Sequence, residues 1–167
     1  MAADSRSGGS PGGSTCERVS RALIIGSPSV PFRRSLPAVP PITELTRIEP
    51  AHLARLEAQG IFTTGLLLEV SETPTRRQYL ADQVDATPND VLEWRDEALL
   101  FNLAGFGSAE HDLLLQAGIE GVRDVAALDL ETFRERVRQA ARELKVEPPD
   151  ELTLDGWWEQ ARTLAGE

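Results

Sequence analysis

The chain carries few side chains able to do chemistry, and their spacing suits it poorly. The histidine-bearing cluster is Glu110-His111-Asp112. A His between two carboxylates has the composition of a general base or a metal ligand set. Consecutive residues of a helix do not share a face, so the three converge badly on one proton or one ion. His111 is therefore expected on the surface or packed on a hairpin. His52 follows Pro50 by two positions and is expected to be exposed. Cys16 is the only Cys in 167 residues. A lone thiol excludes a disulfide framework within the chain and any Cys-based structural zinc site. No His or Asp near it in sequence would activate it as a nucleophile. With no convergent acid, base and nucleophile, no catalytic residue is expected, and neither a metal nor any other cofactor is.

Two stretches have a binding chemistry instead. In Gly105-Phe106-Gly107-Ser108-Ala109 the two glycines permit a tight turn and close approach of backbone to a ligand. A helix starting at Ser108 would offer free N–H groups and partial positive charge to a phosphate. Glu110 and Asp112 suit that helix N-terminus by complementing its dipole, and the same placement opposes a phosphate. Trp157-Trp158 is the second stretch. One of the two is expected in the core, and the other is a candidate anchor for a partner, since Trp is enriched at binding hot spots.

The elements that must position these residues divide by charge. The formal net charge is −10. Residues 1–40 hold five Arg against Asp4 and Glu17, a net of +3, and the remainder holds 12 basic against 25 acidic side chains, a net of −13. The basic segment is rich in Gly, Ser and Pro, with Ala22-Leu23-Ile24-Ile25 as its one apolar cluster. That is too little burial to offset about 1–2 kcal/mol of backbone entropy per residue, so a disordered tail is expected. Its Arg and Ser content also admits an organelle transit peptide as an alternative to a cytoplasmic location, though Asp4 and Glu17 argue against it. Pro37, Pro40 and Pro41 form a stiff lead-in. No apolar run approaches the roughly 20 residues of a membrane span, and no membrane association is expected. The acidic balance disfavours a bulk electrostatic grip on nucleic acid.

Beyond Ile42 the apolar spacing is helical throughout, and the chain is expected to be all-α. Pro50, Thr73-Pro74 and Thr87-Pro88 mark helix starts, and Gly60 and Gly118 mark stops. The helix after Thr73 is expected to turn Tyr79, Leu80 and Val84 inward. The helix after Thr87 should bury Val91, Trp94, Leu99 and Leu92. Asp129 should cap a helix through Leu144, burying Phe133, Val137, Ala140, Ala141 and Leu144. Thr153 or Asp155 should cap the last helix. Arg134, Arg136, Arg138 and Arg142 alternate with Glu131, Glu135 and Glu143, as on a salt-bridged solvated face.

The helices also repeat. Gly60-Ile61 recurs as Gly118-Ile119, 58 residues later, and at that offset Leu56 meets Leu114 and Leu67 meets Val125. Trp94 finds its partner in Trp157 or Trp158, 63 or 64 residues later. The expected organisation is a tail over 1–40, a first repeat over 41–102 and a second over 103–167, the two repeats packed in one compact helical domain.

The run Leu103-Ala104-Gly105-Phe106-Gly107-Ser108 through Leu114-Leu115-Gln116-Ala117-Gly118-Ile119 resembles a helix-hairpin-helix motif. In DNA-binding members of that motif the turn grips the duplex backbone without reading sequence. The first repeat, Leu45-Thr46-Arg47-Ile48-Glu49-Pro50, resembles the motif with Arg47 and Glu49 in place of the glycines, so phosphate binding is not carried onto it. Together with Thr73-Pro74-Thr75-Arg76-Arg77, Leu92-Glu93-Trp94 and Trp157-Trp158-Glu159-Gln160-Ala161, residues 42–165 resemble a family of uncharacterised bacterial proteins built from tandem helix-hairpin-helix units. That family implies the fold and no activity. The expected function is a non-enzymatic interaction module, an adaptor whose protein partner has a basic surface. The alternative is a nucleic-acid-associated protein that uses the Gly105–Gly107 hairpin. The sequence does not specify an oligomeric state.

Overall fold

The computed structural model describes residues 39–166, which fall in one unit running from Ala38. The expectations for residues 1–38, Cys16 and the Arg-bearing tail among them, lie outside the described residues. Eight α-helices follow one another: α1 (Pro50–Ala58), α2 (Thr64–Val70), α3 (Pro74–Val84), α4 (Pro88–Leu100), α5 (Ser108–Gln116), α6 (Val122–Ala127), α7 (Leu130–Leu144) and α8 (Glu151–Ala165). Among the described residues, a 3-10 turn, Ile42–Glu44, precedes them. No strand occurs among the described residues; an isolated antiparallel bridge joins Pro41 to Thr63. The chain is tied from Pro40 onward, because the Pro40 carbonyl accepts from Thr64 N at 3.0 Å and Ile42 N donates to Phe62 O at 2.9 Å.

The helix starts follow from side-chain caps. Thr63, Thr73 and Thr87 each accept from the backbone N–H three residues on, and Thr87 N in turn donates to Asp90 at 2.8 Å, completing a capping box. Asp129 caps α7 in the same way. The last helix departs from expectation. Its cap is Asp150, which accepts from Thr153 N at 2.8 Å, not Thr153 or Asp155. Pro148-Pro149 holds the chain extended, and the first side chain able to cap after it is Asp150.

The stops at Gly60 and Gly118 share one geometry. Both glycines are left-handed, with φ of 82° and 73°. Ile61 N donates to Leu56 O at 3.0 Å, and Ile119 N donates to Leu114 O at 2.9 Å. This Schellman arrangement satisfies orphan carbonyls and sets each Ile on the Leu five residues before it. All four of these apolar side chains are buried. Leu67 and Val125 are buried at the same 58-residue offset, and at the 63-residue offset Trp94 matches Trp157, both 2% exposed.

The helices enclose two hydrophobic cores. One draws on Ile42, Leu56, Leu67, Leu80, Val84, Val91, Trp94 and their neighbours. The other draws on Leu100, Leu114, Val125, Phe133, Val137, Leu154, Trp157 and theirs. α4 supplies both, and Phe106 packs at the edge of both. Four side chains differ from expectation. Tyr79 is 66% exposed, because α3 buries the stripe Leu80, Ala81 and Val84 and leaves position 79 on its flank. Leu144 is 41% exposed, since α7 ends there and Lys145 turns left-handed at φ 58°. Leu92 and Leu99 are only partly buried.

Candidate functional site

The turn expected to face a ligand is held from within. Gly105 has a φ of 71°, and no atom lies within 4 Å of where its Cβ would stand. Its glycine answers to backbone conformation rather than to a close neighbour. Gly107 is extended and heads α5. Its N–H donates to Glu110 Oε2 at 2.9 Å, so the carboxylate from the first turn of α5 folds back onto the hairpin. A Cβ on residue 107 would meet that same oxygen at 3.2 Å.

The other hairpin groups are also engaged. Ala104 N donates to Gln160 Oε1 at 3.0 Å, and Trp157 Nε1 donates to Ala104 O at 2.9 Å. Phe106 N donates to Leu103 O at 3.2 Å. Ser108 Oγ donates to Glu44 Oε2 at 2.6 Å, which brings a second carboxylate to the mouth of the turn. The Phe106 ring meets Phe101 and Trp157 edge-on, with centroids 5.7 Å and 5.3 Å away. Gly105, Ser108 and Ala109 are exposed, but the charge beside them is negative.

The first hairpin is held by the same device in stronger form. Glu97, on α4, is fully buried. It accepts from Thr46 N at 2.7 Å, Thr46 Oγ1 at 2.8 Å and Arg47 N at 3.1 Å. Thr46 and Ala104 are 58 residues apart, and Glu97 and Gln160 are 63 apart, like Trp94 and Trp157. In each half, then, the helix bearing the buried Trp clamps a hairpin amide through the side chain three positions after that Trp. Arg47 extends the contact outward, reaching Glu93 at 3.0 Å and Glu120 at 3.5 Å.

His111 belongs to this cluster rather than to one with Glu110 and Asp112. It is 2% exposed. Its Nε2 lies 3.0 Å from Glu97 Oε1, and its ring is 4.9 Å from that of Phe101. The imidazole is not aligned with the carboxylate for a hydrogen bond, so this is a close polar contact. Burial pushes the Glu97 carboxyl up, but the contacts from His111, Thr46 and Arg47 outweigh it and hold the group below its usual range.

Asp96, next along α4, points the other way. Its carboxylate takes Arg123 N at 3.2 Å and lies 3.3 Å from Arg123 Nε. It packs so closely on Gly121 that a Cβ there would stand 2.0 Å from its Oδ2. Burial dominates at Asp96 and raises its pKa, against the opposing pull of Arg123. Asp96, Glu97 and Gln160 were not singled out from the sequence. The available signal was a polar residue three positions after each helix Trp.

Neither Trp stands free. Trp157 is in the core with its N–H on Ala104 O, so it is not available as a partner anchor. Trp158 is partly buried, donates to Leu128 O at 2.9 Å and carries the Arg162 guanidinium 4.6 Å from its ring centroid. Aromatic surface appears instead at Tyr79, beside an open groove of about 530 Å³ lined by Ile61, Val70, Leu80, Glu69 and Arg76. His52 is partly buried, 5.4 Å from Trp94. On α7 only Arg134–Glu131 pairs within the helix as expected for a salt-bridged face, whereas Arg134 and Arg138 also reach across to Asp155 and Glu151 of α8. Among the described residues no group of three His, Cys, Asp or Glu is placed to hold a metal. No described helix is long and apolar enough to cross a membrane.

Residues 46–164 match the model of a domain of unknown function, DUF4332. The chain belongs to that family. No curated protein matches it, and no solved structure does.

Proposed function

We propose that this DUF4332 chain is a non-enzymatic protein-binding adaptor, built of two helix-hairpin-helix units of the bacterial tandem type. The first unit is degenerate at its turn, and the protein works in the cytoplasm. The observation that supports this reading is the occupation of both hairpins by the chain's own side chains. Gly107 N is taken by Glu110, Ala104 N by Gln160, and Thr46 N and Arg47 N by Glu97. A phosphate approaching the second turn would meet Glu44 and Glu110 rather than Lys or Arg. An acidic surface of this kind suits a partner with a basic one. Trp158 and Tyr79 supply aromatic contact area, beside the exposed Phe62.

The test is affinity purification of the full chain from its host in the presence of nuclease, followed by mass spectrometry. A specific protein with a basic contact surface should be recovered, lost at high salt and lost with Trp158→Ala or Tyr79→Ala. Recovery that nuclease abolishes would replace the adaptor with the nucleic-acid reading. A recovered set unchanged by both substitutions would remove the aromatic anchors.

A further inference from the structure

We infer that Glu97 and His111 form a latch across the seam between the two hydrophobic cores, and that loss of the Glu97 charge loosens the hairpin–α5 side of this seam while each core stays folded. Across the seam the Phe106 ring meets Phe101 of one core and Trp157 of the other, and polar groups lie beside this aromatic contact. Phe106 is the one side chain packed at the edge of both among the described residues. The first hairpin meets the second half through Glu97–His111 at 3.0 Å, Arg47–Glu120 at 3.5 Å and Ser108–Glu44 at 2.6 Å. Only the first of these is buried on both sides, at 3% and 0% side-chain exposure. A buried carboxylate on α4 that is contacted by both the first hairpin and α5 is the point where one proton removes the most.

The surrounding charges confine the effect to one side of α4. Arg47 comes from the hairpin, Glu93 and Asp96 from α4, Glu110 and Asp112 from α5, Glu120 from the turn after it, and Arg123 from α6. Glu97 is held below its usual range, so its contribution is present above the ordinary value of 4.5 and lost as the pH falls. Asp96 is raised, so protonation relieves its burial rather than breaking its contact with α6. Acid therefore loosens the hairpin–α5 side of the seam and leaves the α4–α6 side closed. The two cores contain no such groups, and their turn amides at Ile61 and Ile119 are held by main-chain carbonyls within each half.

Native-state hydrogen exchange on the full chain, corrected for intrinsic exchange, tests this. In Glu97→Gln at neutral pH, the amides of Thr46 and Arg47 should exchange about tenfold or more faster than those of Ile61 and Ile119. The same separation should open in the native chain as the pH falls below about 4.5, and in His111→Phe at neutral pH. A single common rate for all four amides under these conditions would overturn the latch, since loss would then follow global unfolding alone. Thr46 and Arg47 rates unchanged in His111→Phe would overturn it too, leaving Glu97 a clamp within one half. Should Glu97→Gln fail to fold, the acid series and His111→Phe decide the matter.

Discussion

Asp96 and Glu97 are neighbours with opposite energetics. Glu97 is matched by three hydrogen bonds and a nearby imidazole, whereas Asp96 has a partly exposed Arg123 and the backbone of α6. A hydrogen bond to a charged group is worth about 1.5–3 kcal/mol. Glu97→Gln is therefore expected to lose about 3 kcal/mol in denaturant melts at neutral pH, and less as the pH falls below the ordinary 4.5. Asp96→Asn is expected within about 1 kcal/mol of the native chain. Its comparison with native should be most favourable at neutral pH and least favourable near the ordinary 3.8, where native Asp96 no longer bears a buried charge. The same sign of pH dependence for both variants would contradict the assigned causes. Gly121→Ala should cost about 1–3 kcal/mol by overpacking against Asp96, and a double-mutant cycle with Asp96→Ala should show strong coupling. None of the three residues announced itself in the sequence. Periodicity marks what is apolar, and a buried carboxylate breaks the pattern without revealing what it meets.

At the scale of elements the sequence is far more informative. Pro at the first helical turn, Thr or Asp before it and Gly after the last turn are local chemistry, and they marked the helix order and most boundaries. The misplaced cap of α8 shows the limit of that logic. Thr153 and Asp155 have the right chemistry, but the two prolines before Asp150 decide where the chain can first turn. Asp150→Ala should accordingly free the amide of Thr153 to exchange, whereas Asp155→Ala should leave that amide protected and loosen Arg134 instead. The Gly60 and Gly118 stops share one cause, so they should respond alike. Gly60→Ala and Gly118→Ala should each cost about 1–2 kcal/mol from the left-handed conformation, with similar losses read in thermal or denaturant melts. A cost at one position and none at the other would argue against equivalent turns. Tyr79 was misread because its stripe is ambiguous by one position. Leu80, Ala81 and Val84 fill the interface with small and medium side chains, and the larger ring remains on the flank.

Over the whole molecule the charge and the Gly105–Gly107 turn bear together on whether the chain can hold a phosphate. Formal charge already set 12 basic against 25 acidic groups after residue 40. The hairpins add a reason that charge counting lacks, because the amides of Thr46, Arg47, Ala104 and Gly107 already have acceptors from the same chain. Screening by salt would not free those amides, so the expected failure to bind nucleic acid does not depend on long-range repulsion alone. The most direct measurement is a titration of the full chain with duplex DNA in about 50 mM salt, near the low end where backbone contacts are strongest. No shift is expected at micromolar protein, either for the native chain or for Gly107→Asp. A shift that weakens steeply with salt and disappears in Gly107→Asp would contradict the account and assign the second hairpin to nucleic acid.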